Sequence, residues 1–269
     1  VTVLAAAFGA LALLAPAPTA TLVAAGDLAD CKVTDDTAVA SLIARTPGTI
    51  ALLGDTVYER GTADEYRRCY DPVFGRFLRR SRAALGNHEY GTGNADAAIE
   101  YFGLPRRGYY SYELGRWHVV VLNSNCRYAG GCQAGSPQER WLGRDLAEHR
   151  VRCTVAYMHH PRWSSGLHGP DRTIATLWRA LAQGGADVVL AGHDHHYERF
   201  APIDGMRSFV VGTGGRSHYP VLLQLPRSVV VNDRTFGVLR LTLRPTDYSW
   251  RFLPVAGSTF TDSGSARCR

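Results

Sequence analysis

Five short apolar runs in this chain end in the same way, and that repetition restricts the fold more than any other feature of its 269 residues. Thr21 to Gly26 is followed by Asp27. Thr49 to Leu53 is followed by Gly54-Asp55 and then Thr56-Val57-Tyr58. Arg82 to Leu85 leads into Gly86-Asn87-His88-Glu89. Arg152 to Met158 leads into His159, and Ala186 to Ala191 into Gly192-His193-Asp194-His195. Short apolar runs bounded by turn residues read as buried strands. In open α/β sheets, ligands sit outside the carboxyl ends of the strands. The pattern therefore predicts one rim that receives Asp, Asp, Asn, His and His-x-His from five strand ends. Glycine ahead of the polar residue (Gly26, Gly54, Gly86, Gly192) is expected to let the backbone turn sharply there.

Helical signals separate several of these runs. Asp35 to Arg45 reads as a helix with Thr34 as N-cap and Val39, Leu42 and Ile43 on one face. Ser136-Pro137-Gln138-Glu139 is a capping box with proline at the first helical position, opening a helix to about His149. Asp171 to Gln183 reads as a helix stopped by Gly184-Gly185. Tyr109 to Leu114 and Trp117 to Leu122, joined at Gly115-Arg116, read as a hairpin. Ser208 to Val211, Phe236 to Leu243 and Tyr248 to Leu253 are β-rich. With no internal repeat or low-complexity linker, the alternation predicts an α/β fold: a two-sheet β-sandwich of βαβ units flanked by helices, one domain over 21–269.

Composition excludes other classes. Hydrophobic residues at 45% and charged residues at 20% rule out a disordered chain, a coiled coil and a multi-span membrane protein. The net charge is +6, carried by 29 Arg against one Lys, Lys32. The arginines are scattered, so no nucleic-acid-specific binding is expected. Val1 to Ala15 is apolar except for Thr2, and Ala15-Pro16-Ala17 offers a small-residue cleavage site. The run is shorter than the about 20 residues a bilayer span needs. It suits the apolar core of a secretory signal, although no Lys or Arg precedes Lys32. Residues 1–20 are therefore read as a signal remnant, and a secreted, periplasmic or extracellular location with no stable membrane span is expected. The six cysteines contain no C-x-x-C pair, and their even number fits up to three disulfides in an oxidising compartment. Six cysteines allow fifteen connectivities, and the residues do not choose among them. Cys126 and Cys132 bracket a glycine-rich loop, Cys153 with Cys268 would tie the tail to a central strand, and Cys31 with Cys69 would then remain.

Chemistry constrains what the rim can hold. Carboxylates, an amide oxygen and imidazoles suit Zn, Fe, Mn or Ni rather than soft Cu(I). So many donors exceed one tetrahedral ion but suit two ions sharing a carboxylate. Such a pair, about 3.5–4 Å apart, clamps the attacking and leaving oxygens of an in-line phosphoryl displacement.

These residues resemble the calcineurin-like metallophosphoesterases and, within them, the purple acid phosphatases. That branch is marked by G-D-x-G, G-D-x-x-Y, G-N-H-[DE], V-x-x-H and G-H-x-H. Here they stand as Gly26-Asp27-Leu28-Ala29, Gly54-Asp55-Thr56-Val57-Tyr58, Gly86-Asn87-His88-Glu89, Ala156-Tyr157-Met158-His159 and Gly192-His193-Asp194-His195. The second, third and fifth match fully. Ala29 replaces the last glycine of the first and Ala156 the valine of the fourth, and neither change removes a ligand. The resemblance spans roughly residues 21 to 200 and implies the four-layer α/β fold as a bare catalytic domain, without the extra N-terminal β-domain of the plant enzymes.

Carried over residue by residue, the resemblance implies Asp27, Asp55, Tyr58 and His195 around a ferric ion. Asp55, Asn87, His159 and His193 would surround a divalent ion (Zn, Fe or Mn), with Asp55 bridging. His88 corresponds to a phosphate-contacting histidine, and His168 to a loop histidine that faces the leaving group. His160 is read as either supporting a ligand or structural, His196 as near the pocket without a role, and His118, His149 and His218 as structural. The expected function is a secreted binuclear phosphatase acting on small phosphate monoesters through in-line attack of a metal-held hydroxide. A phosphodiesterase or nucleotidase on the same core, and a non-catalytic metal- or phosphate-binding module, are the alternatives. Natural substrate and oligomeric state are not legible.

Overall fold

A computed structural model describes residues 19–150 and 153–269. The apolar run read as a signal remnant lies outside the described residues, except for its last two positions, and so does Arg152. The described strands are, in chain order, β1 (Ala20–Ala25), β2 (Ala29–Asp30), β3 (Thr49–Leu52), β4 (Val57–Tyr58), β5 (Ser81–Ala83), β6 (Tyr110–Leu114), β7 (Trp117–Val121) and β8 (Cys153–Tyr157). They continue with β9 (Val188–Ala191), β10 (Tyr197–Phe200), β11 (Arg207–Val211), β12 (Ser228–Asn232), β13 (Gly237–Leu243), β14 (Asp247–Pro254) and β15 (Ser263–Arg267).

They form two mixed sheets, ordered β15-β14-β13-β1-β3-β5 and β12-β10-β11-β9-β8-β7-β6. The strands that lead to the rim are parallel: β1 with β3, β3 with β5, and β7 with β8, β8 with β9 and β9 with β11. Antiparallel strands flank them. Parallel register decides where the site can be. Ala25 pairs with Leu52 and Leu52 with Ala83, so the chain leaves the three strands at nearly the same level.

Side-chain alternation builds the layers. Leu22 and Ala24 of β1 face the core between the sheets, with Trp117, Val119, Tyr157, Leu190, Phe209 and Leu241. Their neighbours Val23 and Ala25 face outward, against Val39 and Ile43 of helix Asp35–Ala44 and the helical turns between residues 63 and 80. On the other sheet, Val120, Leu122, Ala156 and Met158 pack outward on Leu142, Leu177 and Leu181 of helices Pro137–Glu148 and Ala175–Gln183. Each buried side chain of this size contributes about 1.5–3 kcal/mol. The order is helix, sheet, sheet, helix.

Three local expectations are revised. Thr34 occupies the N-cap position, but its side chain caps nothing. The helix expected from Asp171 begins at Ala175, because the Asp171 carboxylate accepts from Thr173 N and Oγ1, both at 2.7 Å, and holds a turn. At the expected capping box Ser136 Oγ accepts from Glu139 N, but the Glu139 carboxylate accepts from Gly135 N. A complete box stands at Thr62 and Glu65.

The cysteines pair as Cys31–Cys69, Cys126–Cys132 and Cys153–Cys268. The last joins β8 to the tail across 115 residues. Among the described residues no helix is long and apolar enough to cross a membrane.

Candidate metal centre

The rim is assembled by backbone as well as by strand register. Beyond β1 and β3 the chain forms a small parallel ribbon, β2 with β4. Asp27 N donates to Gly54 O at 3.1 Å, Leu28 N to Asp55 O at 3.0 Å and Ala29 N to Thr56 O at 3.1 Å. The two aspartate turns are thereby fixed side by side. From the other sheet, Gly192 N donates to His159 O at 2.9 Å, and Gly26 N reaches Val211 O at 2.9 Å.

The glycines act differently from the expectation. Of the four, only Gly54 has a positive φ, at 86°. The sharp turns fall on the polar residues themselves: Asp27 has φ 62°, Asp55 47° and His193 72°. Such left-handed non-glycine residues are costly, on the order of 1–3 kcal/mol each, and cluster at functional sites. The remaining glycines are required by close approach. A Cβ on Gly192 would lie 2.7 Å from Asp27 Oδ2, one on Gly26 3.0 Å from Leu53 Cβ, and one on Gly86 would collide with the Asp55 carboxylate.

All seven residues expected at the rim come together, in two groups. Tyr58 hydroxyl donates to Asp27 Oδ1 at 2.9 Å and approaches Asp55 Oδ2 and His195 Nε2, each at 3.3 Å. His159 Nε2 lies 3.2 Å from Asp55 Oδ2, 3.0 Å from Asn87 Oδ1 and 3.1 Å from His193 Nδ1. The same oxygen of Asp55 therefore belongs to both groups.

The imidazoles are oriented from behind. His159 Nδ1 is bonded to Leu53 O at 2.9 Å, and His195 Nδ1 to Ser217 Oγ at 2.7 Å, which leaves both Nε2 atoms facing the centre. Tyr219 stacks on His195 at 4.1 Å. Such outer hydrogen bonds are what hold metal-ligating histidines in one tautomer.

The protons at the centre mark where cations fit. Burial opposes charge on His159, yet the adjacent Asp55 carboxylate lifts its pKa to about 9. Burial favours protonated Asp55, but the His159 charge holds its carboxyl below the usual range. Burial, then Asp27 and Asp55, push the Tyr58 phenol well above its ordinary value. Burial and the neighbouring His159, His160 and His168 hold His193 below the usual imidazole value. So His159 and Tyr58 retain protons between carboxylates, and the side chains paired with the two buried acids include imidazoles. Metal ions bind deprotonated ligands and displace such protons. Asp27, Asp55 and His159 each place a ligand atom within 4.8 Å of the others. The donor set fits two ions with Asp55 shared.

The two further histidines border this centre. The His88 ring lies 4.3 Å from that of Tyr58, tilted at 54° to it, and its Nε2 is 3.9 Å from Asp55 Oδ2. Its Nδ1 is 2.6 Å from Glu59 O. The His168 ring lies 4.3 Å from that of His193. His196 is buried, and its Nε2 is bonded to Glu198 at 3.0 Å.

The family model for calcineurin-like phosphoesterases matches residues 4–197. The chain belongs to that family. An uncharacterised protein of Mycobacterium tuberculosis strain H37Rv is 32% identical to this chain over 221 residues, covering 71% of this chain and 40% of that protein. Tartrate-resistant acid phosphatase type 5 of Mus musculus is 28% identical over 242 residues, 74% of each chain. The purple acid phosphatase isolated from yellow lupin (Lupinus luteus) seeds superposes with a TM-score of 0.80 at 17% identity, over 93% of this chain and 54% of that one. That likeness supports the four-layer α/β fold. The chain spans about two fifths of the length of the first curated relatives it matches.

Several residues that support this site carry no signal in ligand spacing. Buried Glu89 accepts from Asp55 N at 2.9 Å, Thr56 N at 2.7 Å, Thr56 Oγ1 at 2.8 Å and Gly86 N at 2.6 Å, and so ties two strand ends together. Asp194, the middle residue of His193-Asp194-His195, holds the loop of His168 and accepts from Ser164 Oγ. His160 is bonded through Nδ1 to Ser124 Oγ at 2.8 Å. Arg216 lies over the Tyr58 ring at 5.0 Å and pairs with Asp30 and Glu59 at 2.9 and 2.6 Å. Glu89 and Asp194 were visible only as motif positions without a ligand role.

Proposed function

We propose that the protein is a metal-dependent phosphoric ester hydrolase of the purple acid phosphatase type, acting on small phosphate monoesters. The observation that carries this reading is Asp55 Oδ2, which lies 3.3 Å from Tyr58 hydroxyl and 3.2 Å from His159 Nε2. One oxygen reached by both donor groups is what a bridged pair of ions requires.

Asp27, Asp55, Tyr58 and His195 would hold a ferric ion, and Asp55, Asn87, His159 and His193 a divalent one. The Tyr58 phenol, buried between two carboxylates, gives up its proton only to a strong Lewis acid, which favours a trivalent ion beside it. When bound, the ions supply Lewis-acid polarisation of the phosphoryl group and an acidified water nucleophile.

The chain's own residues do the rest. The His88 ring is held by Glu59 O through Nδ1, and its Nε2 side neutralises a phosphoryl oxygen. The His168 Nδ1–H is committed to Asp194, so a proton for the leaving alkoxide comes from Nε2. Glu89 keeps the Asp55 and Gly86 backbones in place while substrate binds.

The three disulfides support an oxidising compartment and hence export, with residues 1–20 as the signal remnant and 21–269 as the catalytic domain. Turnover of p-nitrophenyl phosphate against bis-p-nitrophenyl phosphate, with a chelator control, tests the reading. Chelator-sensitive hydrolysis of the monoester in clear preference is expected. Preference for the diester would make it a phosphodiesterase, and no hydrolysis by metal-loaded protein would make it a binding module.

A further inference from the structure

Three leucines near the site are far more exposed than their neighbours: Leu167 at 67%, Leu222 at 89% and Leu223 at 78%. Single exposed leucines need no explanation, but a contiguous group rimming a groove does. With Pro170, Pro220 and Leu225 these side chains line a groove of about 280 Å³ that has no charged residue in its wall. That size is just under the about 300–1,000 Å³ of ordinary small-ligand pockets, which suits one chain or ring.

The groove's lining segments adjoin the candidate centre along the chain. Leu167 immediately precedes His168, and Pro220 immediately follows Tyr219. Tyr219 stacks on His195 at 4.1 Å and meets the His168 ring edge-on at 5.6 Å, so the two segments that line the groove also set two rings beside the centre. Its two walls are fastened to each other. Leu225 N donates to Ser165 Oγ at 2.8 Å, and Ser165 N and Oγ donate to buried Glu198 at 2.8 and 2.5 Å. Glu198 is in turn paired with buried His196 at 3.0 Å. The apolar surface is therefore held in a fixed relation to His168.

We propose that this groove receives the organic part of the substrate, and that the preferred substrates are phosphate monoesters of apolar alcohols carrying an alkyl chain or an aryl ring. The inference rests on the phosphomonoesterase reading above. In hydrolysis, water adds to phosphorus, the ester P–O bond breaks, and the alcohol leaves with a proton from His168 Nε2. The departing group thus lies on the His168 side, and the residues that flank His168 in the chain, Leu167 and Gly169, line the groove. A sugar or glycerol placed there would bury less apolar surface than an alkyl chain or aryl ring, so the groove favours the apolar alcohols.

The test is kcat/KM of the metal-loaded full chain for ethyl, butyl, hexyl and octyl phosphate below their aggregation concentrations, with glycerol phosphate as the polar member. A buried methylene is worth up to about fourfold in affinity, so kcat/KM is expected to rise two- to fourfold per carbon until the groove is filled. In a Leu222→Ser/Leu223→Ser double variant the octyl-to-ethyl ratio should fall towards one. A flat series in the wild type, with ethyl phosphate turned over, overturns the groove's role and leaves the phosphomonoesterase reading intact. A slope that survives the double variant also overturns it. So does a double variant that keeps the slope but loses self-association or binding to lipid vesicles, which assigns the leucines to a protein or membrane contact. Failure to hydrolyse any of the esters, p-nitrophenyl phosphate included, removes the underlying reading and this one with it.

Discussion

Asp194 accepts two hydrogen bonds from His168, one from the backbone N–H and one from the ring Nδ1, both at 2.9 Å. The carboxylate is buried between His193 and His195, so a single tripeptide presents two candidate ligands and orients a third imidazole from behind. The space is reserved for it: a Cβ on Gly166 would lie 2.7 Å from Asp194 Cβ. Under the proposed mechanism this bond orients His168 to give its proton to the leaving group.

The His168→Ala variant is accordingly expected to slow esters with poor leaving groups far more than p-nitrophenyl phosphate. General acid catalysis is typically worth ~10²–10⁴-fold, and a good leaving group forfeits little of it. Steady-state kinetics on an alkyl and an aryl ester with matched binding decide the matter. An equal loss on both would assign His168 to binding.

Tyr58 separates a ferric–divalent centre from an all-divalent one. Its hydroxyl is 2.9 Å from Asp27 Oδ1 and its ring is covered by His88 and Arg216. A phenolate on ferric iron gives a visible charge-transfer band, so iron-loaded protein should be coloured. Tyr58→Phe should remove the band with the fold retained, as circular dichroism would report. A colourless wild-type protein that binds its full metal complement would contradict the ferric assignment.

Away from the centre, a buried histidine links stability to pH. His118 Nδ1 is 2.7 Å from Glu113 Oε1 and its Nε2 is 2.7 Å from Asp145 Oδ2. Burial disfavours the charged ring, but the hydrogen bonds to Asp145 and Glu113 outweigh it and raise the His118 pKa above 6.5. Burial acts the other way on Asp145, yet its bond to His118 lowers it below 3.8. A raised imidazole stabilises fully below its unfolded value and loses that contribution as pH rises through the folded value. A depressed carboxyl stabilises above its unfolded value and loses it as pH falls through the folded one. Wild type should therefore exceed His118→Gln in unfolding free energy most at about pH 5–6, with the gap shrinking by pH 9. Urea titrations at both pH values measure it, and a gap independent of pH would refute the charged pairing.

What the sequence reveals here follows from where the physics is local. The rim strands are apolar on both faces, so β1, β3, β8 and β9 stand out as runs, and each run ends at the residue that matters. Edge strands lack that signature. In β15, Ser263–Arg267, alternate side chains are exposed and none is large and apolar, so its pairing with β14 is dictated by the partner. The turns between residues 63 and 80 escape because they change helical type, with a π-turn at Tyr66–Tyr70 and a 3-10 turn at Gly75–Arg80, so no 3.6-residue period persists. At the centre, donor residues are legible by type, whereas Ser217 and Tyr219 act through contacts on His195 that only the folded chain creates.

The central claim is that Asp55 serves two ions at once. Metal analysis of purified wild type and Asp55→Asn, each loaded under identical conditions, measures it directly. We predict two metal equivalents in the wild type, and in the variant loss of both together with essentially all phosphatase activity. Two equivalents retained in Asp55→Asn with near-normal turnover would contradict the account.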